Sequence, residues 1–253
     1  MATAFKRVPA ADKIFAILEL LSKAKEPLGI SDISRHLTLN KSTVFNIAHT
    51  LIDLNYLEKS SNGKLVFGTH FYILGNAAGR RSDIIKIAHP YLESISQETK
   101  LSAFLGIRSD YRTILIDKAD SAHEIKISSE IGMQMPKLAG AGIKAMLSQL
   151  TDVQIDKVLN QCKLEKFTPY SIVDKKTYKK EILKVREQGI AYDLEEYIEG
   201  MVALAVPIKA KGQNLQAAIW TVGMTRQVPE ASIPELSEFL IGISKEINYR
   251  FVV

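Results

Sequence analysis

The chain has one cysteine, Cys162, and one tryptophan, Trp220, among 253 residues. A lone cysteine forms neither an internal disulfide nor a thiolate metal cluster, and with no partner motif Cys162 reads as an ordinary helix residue. No apolar run approaches the roughly 18–20 residues of a bilayer crossing, and Met1–Ala10 carries Lys6, Arg7 and Pro9 with no apolar stretch behind it. These absences argue against a membrane partner and make the cytoplasm the expected location. Catalytic signatures are missing as well: there is no G-x-S-x-G, no H-E-x-x-H and no P-loop. Two S-x-x-K matches, Ser22–Lys25 and Ser61–Lys64, fall at a helix end and in a turn, without companion motifs. The acids Asp193, Glu195, Glu196 and Glu199 cluster without a histidine beside them, so they read as a solvated loop with one ligand contact. The expectation is a protein that is not an enzyme and uses no cofactor and no metal. Internal repeats and low-complexity tracts are also lacking.

What is present is an uneven distribution of charge. Eleven of the 33 basic residues and six of the 28 acidic ones fall in residues 1–81, leaving 22 of each sign in the remainder. The whole surplus of +5 therefore sits in the first third of the chain. That is the pattern expected if only that part meets a polyanion.

Periodicity gives the organisation. Ile14, Ile17, Leu18 and Leu21 fall at helical spacing from Ala11 onward, and Pro27 and Gly29 close the segment. Ser31 is placed to cap a short second helix whose Ile33 and Leu37 face inward, and Thr38-Leu39 makes a tight turn. Asn40 caps a third helix in which Val44, Ile47, Ala48 and Leu51 form one apolar stripe. Its opposite face carries Ser42, Phe45, Asn46, His49 and Asp53. After Asn55 the period changes to two, through Tyr56–Lys59, a Ser60-Ser61-Asn62-Gly63 turn and Lys64–Gly68, a hairpin signal. Three helices and a hairpin make a winged helix-turn-helix. His70–Ser82 reads as a linker helix, with Ser82 placed to cap an amphipathic helix over Ile84–Lys100 that shows Ile85, Ala88, Leu92 and Ile95 on one side. Strands are expected at Leu101–Ile107, Thr113–Lys118, Glu124–Ser128, Gly189–Asp193, Val202–Ile208 and Leu215–Val222. Helices are expected at Ala139–Gln149, Asp152–Gln161, Lys175–Gln188 and Ile233–Phe251. This order lacks strict βαβ alternation, so the fold class is α+β in two domains, the second with a mixed or antiparallel sheet. The divisions are 1–69 for the winged helix-turn-helix, 70–83 for the linker helix and 84–253 for the larger domain.

The run from Ala11 to Leu74, with KSTV at Lys41–Val44, resembles the DNA-binding domain of the IclR-type transcription regulators. The blocks MPKLAGAGIKA (Met135–Ala145), GIAYDLEEYIEGMVALA (Gly189–Ala205) and VPIKAKGQNLQAAIWTVG (Val206–Gly223) resemble that family's effector-domain blocks in the same order. The resemblance implies a GAF-like effector-binding domain, a linker helix that helps dimerise, and a homodimer or dimer of dimers on palindromic double-stranded operator DNA, repressing or activating. The sequence departs from the family pattern at Phe45-Asn46, where a polar residue followed by Arg is common, and at Asn55, where Gly is usual.

An α-helix fits the major groove, and its exposed face reads base edges. Asn46 is suited to bidentate bonding with adenine. Phe45 either presses on a thymine methyl or belongs to the core, and His49 meets a base, a phosphate or solvent. Ser42 and Thr43 at the helix start suit a phosphate, and Arg35 and Lys41 flank the turn beside the backbone. Lys59, Asn62 and Lys64 on the wing, with Lys6 and Arg7 on an arm, are placed for the adjacent minor groove. In the second domain, Gly140-Ala141-Gly142 before a helix either cradles an anion or serves packing. The family resemblance adds Asp193, Met201, Ala203, Trp220 and Val222 as ligand-lining positions. Those matching Trp220 and Val222 are frequently small or hydroxylated in relatives. Trp220 then fills the cavity, stacks on a ligand ring or is an ordinary strand residue. The expected effector is a carboxylate with an aromatic or apolar body. The alternative is a DNA-binding regulator whose C-terminal domain only oligomerises and binds no ligand.

Overall fold

Pro9 opens the first helix, where its missing N–H costs nothing and its fixed φ suits the first turn. The computed structural model describes residues 6–80, 83–123, 126–209 and 215–251. The chain divides into two compact units, Met1–Arg81 and Ser82–Val253.

In the first unit α1 (Pro9–Lys23), α2 (Ile30–Leu37) and α3 (Lys41–Asp53) enclose a core of Ile17, Leu21, Ile33, Val44, Ala48 and Leu51, closed by Leu57 and Leu65. These last two belong to the antiparallel hairpin of β1 (Leu57–Lys59) and β2 (Leu65–Phe67), with Lys59 paired to Leu65 across the turn. Gly63 takes φ +74° in that turn, a conformation open to glycine at little cost. Ser31 does not cap α2. The helix starts earlier, with Gly29 at its N-cap, because the Asp32 carboxylate accepts the Gly29 N–H at 3.2 Å and satisfies it locally. Asn40 does precede α3, although its side chain makes no capping hydrogen bond. Thr38 lies at φ 55° and Asn55 at φ 60°, so the turns out of α2 and α3 pass through the left-handed region. Asn tolerates that region better than most non-glycine residues, which suits Asn55 to this turn. Gly68 is needed beside it, since a Cβ there would lie 2.4 Å from the Asn55 carbonyl oxygen. The unit ends with α4 (Thr69–Arg80).

The second unit is a five-stranded sheet in the order β4-β3-β7-β6-β5, with every neighbouring pair antiparallel. Its strands are β3 (Ser102–Ser109), β4 (Arg112–Ala119), β5 (Ala191–Leu194), β6 (Met201–Lys209) and β7 (Gln216–Met224). Helices α5 (Asp83–Thr99) and α9 (Ile233–Arg250) cover one face; α6 (Gly140–Leu147), α7 (Asp152–Gln161) and α8 (Lys175–Gln188) cover the other. The period-two alternation decides which side each residue joins. Leu105, Ala217 and Ile219 pack toward α5 and α9, while Phe104, Ala218 and Trp220 pack toward α6.

Several expectations need correction. Ile84 rather than Ile85 is fully buried on α5, together with Ala88, Leu92 and Ile95; the inward stripe thus begins one residue earlier. Lys126–Ser128 forms no strand, and Glu124 and Ile125 lie outside the described residues. The outer edge of β4 is taken instead by the segment around Met133. There Leu115 N–H donates to the Met133 carbonyl at 3.0 Å and Met135 N–H to the Thr113 carbonyl at 2.9 Å. Alternation in a sequence cannot say which passing segment wins an edge. The proposed cap at Ser82 lies outside the described residues. Cys162 sits at the C-cap of α7, buried, rather than within the helix.

Candidate functional site

In the first unit the amphipathic spacing of α3 sends Val44, Ala48 and Leu51 inward and leaves Lys41, Ser42, Phe45 and Asn46 exposed. Thr43 and His49 are half-buried. Phe45 is 48% exposed and outside the core, with its ring 4.1 Å from that of His49, so the two form an aromatic surface beside Asn46. Arg35 is exposed and lies 3.7 Å from Asp32. On the wing Lys59 and Asn62 are exposed and Lys64 half-buried. Asn62 is partly committed to the turn, because its Oδ1 accepts from Ser60 Oγ at 2.7 Å and from Lys64 N–H at 3.2 Å. Arg7 differs from a free arm: its Nε donates to Asp12 at 2.7 Å, and the carboxylate holds the guanidinium above its ordinary pKa.

In the second unit the eight expected positions come from four separate segments. Gly140, Ala141 and Gly142 open α6, Asp193 lies on β5, Met201 and Ala203 lie on β6, and Trp220 and Val222 on β7. All eight line one cavity of about 330 Å³. Its other walls include Phe104, Thr113, Leu115, Ser128, Met133, Met135 and Tyr197, which the sequence reading did not single out. Met135 lies inside a block that matched the family, and Tyr197 beside the acidic cluster. Thr113 and Phe104 carry no signal beyond strand alternation, which does not identify a cavity.

Glycines shape this cavity around the indole. A Cβ on Gly106 would lie 2.7 Å from Trp220, and one on Gly142 would lie 3.2 Å from it. Trp220 also stacks on Phe104, with ring centroids 5.7 Å apart at 26°. Gly142 is therefore a packing glycine, whereas Gly140 has φ +87° and turns the chain into α6. That turn is anchored by Tyr178, whose hydroxyl donates to the Leu138 carbonyl at 2.8 Å. Burial pushes the Tyr178 phenol well above its ordinary pKa, so it remains a donor.

The acidic cluster is a solvated loop only in part: Glu199 is exposed and Glu195 half-buried, whereas Asp193 and Glu196 turn inward. Asp193 is 5% exposed and Lys144 3% exposed, and Lys144 Nζ is bonded to Glu196 and to the Tyr192 carbonyl, the latter at 2.9 Å. The Lys144 ammonium also lies 5.8 Å from the centroid of the Tyr178 ring. Asp193 Oδ1 accepts the N–H groups of Glu196 at 2.7 Å and Tyr197 at 3.3 Å. Burial raises both carboxyl pKa values, and Lys144 opposes that rise in each. The pairing of Lys144 with Glu196 was not anticipated, because a Lys on an apolar helix gives no indication of its partner. Thr113, 2% exposed, has no hydrogen-bond partner for Oγ1 among the described residues. Among the described residues no cluster of His, Cys, Asp or Glu suits a metal ion, and no helix is long and apolar enough to cross a membrane.

The family model described as the IclR helix-turn-helix domain matches residues 10–61, and the one for the bacterial transcriptional regulator IclR C-terminal matches residues 76–249. The chain is 23% identical over 253 residues to the transcriptional repressor IclR of Escherichia coli K12, covering 99% of this chain and 92% of that one. Among solved structures, an IclR transcriptional regulator from Alicyclobacillus acidocaldarius superposes with TM-score 0.82 at 24% identity, over 97% of this chain and 100% of that one. An IclR homologue from Microbacterium hydrocarbonoxydans, crystallised in complex with 4-hydroxybenzoate, gives TM-score 0.82 at 20% identity, over 96% and 98% of the two chains. The helix-turn-helix unit, the antiparallel sheet domain and the two family matches in the same order lead to one conclusion: this chain belongs to the IclR family of bacterial transcription regulators.

Proposed function

We propose that the chain binds operator DNA through its first unit, and that a small carboxylate with an aromatic or apolar body, held in the cavity of the second, sets operator affinity. The observation that carries this reading is the cavity itself. Helix α6, the loop before it and all five strands of the sheet converge on about 330 Å³ of largely apolar space, with Asp193 and Thr113 at its wall. A domain that served only to oligomerise has no use for such a space, which favours the effector reading over that alternative. The ligand of the Microbacterium homologue, an aromatic carboxylate, is of the same chemical class.

For DNA, Asn46 and Phe45 read base edges in the major groove, with His49 beside them. Ser42, Thr43, Arg35 and Lys41 contact phosphates, and Lys59, Lys64 and the free amide of Asn62 follow the wing. Chain pairing uses α4, on which Tyr72 is 76% exposed and Ile73 53% exposed. The division proposed is a DNA-binding domain over 1–69, a linker over 70–83 and an effector domain over 84–253.

The test is selection of operator sequences from random duplex DNA by the full-length protein, with and without candidate aromatic acids, alongside a thermal-shift screen. An effector at 100 times its Kd stabilises its domain by about 2.7 kcal/mol. By linkage it changes operator affinity by the factor by which the operator changes its own. A ligand that raises the melting point and leaves operator affinity unaltered would refute the coupling.

A further inference from the structure

The cavity of the second unit carries an imbalance of charge. Asp193 and Glu196 are two acids withdrawn from water, and Lys144 is the buried base beside them. Lys144 is already committed to Glu196, the Tyr192 carbonyl and the Tyr178 ring. Among the described residues, no Lys, Arg or His lines the cavity. A buried charge without a partner is costly, and a missing cation is commonly replaced by a proton.

Geometry says where that proton goes. Both N–H groups that Asp193 accepts fall on Oδ1. Its Oδ2 makes no hydrogen bond among the described residues, and stands 3.9 Å from the point a Cβ on Gly140 would occupy. Gly140 opens α6, an eight-residue helix whose first N–H groups attract an anion. The buried Thr113 side chain lines the same cavity, and its hydroxyl has no hydrogen-bond partner among the described residues. A ligand carboxylate drawn to this helix start therefore meets a second carboxylate. Two such groups in contact at low dielectric do not both stay ionised.

We infer that a carboxylate effector enters this cavity together with one proton, which is held between the ligand carboxylate and Asp193 Oδ2. The inference rests on the reading of the cavity as the effector site. No covalent bond changes; solvent supplies one proton per ligand bound and recovers it on release. The groups facing Asp193 are Lys144 from α6, Tyr178 from α8, and Glu196 and Tyr197 from its own loop. Tyr178 and Glu181 from α8 in turn face Glu196. Burial makes protonation of Asp193 easier than that of an exposed aspartate, while Lys144 limits the effect.

Trp220 is the chain's single tryptophan and lines the cavity, so its emission reports occupancy in the full-length protein. The probes are benzoate and its neutral isostere benzamide, titrated from about pH 5.5 to about pH 8.5. The apparent Kd for benzoate is expected to rise roughly tenfold per pH unit once Asp193 is ionised, and that for benzamide to stay flat. Asp193→Asn keeps the Oδ1 acceptor and puts an NH₂ group in place of Oδ2, so its benzoate affinity becomes independent of pH. A flat benzoate profile in the unaltered protein overturns proton uptake and leaves the cavity standing as a ligand site. A slope that persists in Asp193→Asn overturns the assignment to Asp193. Binding of neither probe overturns the aromatic-acid reading of the cavity, and this inference with it. Should the variant not fold, the contrast between benzoate and benzamide decides the matter in the unaltered chain.

Discussion

Replacing Lys144 by methionine keeps much of the side-chain volume on α6 and removes the one buried cation facing Glu196. Glu196 then stays charged without a partner or takes up a proton. Breaking a buried pair on one side costs about 3–5 kcal/mol when the remaining charge has no escape. Protonation caps that cost. Starting from an ordinary glutamate value near 4.3, holding the proton costs about 3.7 kcal/mol at about pH 7 and about 1 kcal/mol at about pH 5. The sign follows from proton binding: burial raises the Glu196 and Asp193 pKa values in the folded state, so at these two groups the fold holds more protons than the unfolded chain, and their contribution to stability grows as pH falls. Lys144→Met removes the opposing charge and widens that window upward. The assay is urea unfolding of the full-length protein at both pH values, following Trp220, which belongs to the second unit. The expected loss is about 3–4 kcal/mol near neutrality, shrinking by about 2–3 kcal/mol on acidification. A loss that is equal at the two pH values would mean that packing, not charge, gives Lys144 its importance. A loss under about 1 kcal/mol near neutrality would mean that the pair contributes little.

Other perturbations test other parts of the molecule. Asn46→Ala is expected to weaken binding to the selected operator by about 1–3 kcal/mol with little change on random duplex. Lys64→Ala should weaken both equally and lower the salt slope by about one, checked by anisotropy titrations across ionic strength. Gly106→Ala places a Cβ 2.7 Å from the Trp220 ring, whose movement into the cavity gives relief. The expectation is a loss of about 1–3 kcal/mol in unfolding experiments, accompanied by a shift in Trp220 emission. Gly68→Ala faces backbone rather than a side chain, at 2.4 Å from the Asn55 carbonyl oxygen. It should therefore cost more than Gly106→Ala, and separate the first unit's melting transition from the second's by calorimetry.

Where a residue's role depended on its neighbours in sequence, the chain alone revealed it. The helical spacing of Val44, Ala48 and Leu51 determined which face of α3 is buried and therefore which face carries Asn46. The Ser60–Gly63 turn set the hairpin register, and α7 and α8 span the residues that the sequence pattern assigned to them, while their caps, Thr151 and Asp174, emerged only in the structure. The surplus of positive charge in the first 81 residues is a property of composition and needed no coordinates.

Tertiary structure decided what depends on contacts between distant segments. The β4 edge went to the segment around Met133 rather than to residues 124–128, because backbone hydrogen bonds are blind to side-chain alternation and the chain path chose the partner. Lys144 and Glu196, 52 positions apart, became a buried pair only when α6 and the loop after β5 closed on each other. The acids around Asp193 looked solvated because a charge in sequence carries no record of whether water will reach it; burial is set by everything that packs around it. Gly106 and Gly142 likewise acquired their meaning from the ring of Trp220, since a missing Cβ matters only where something else fills its place.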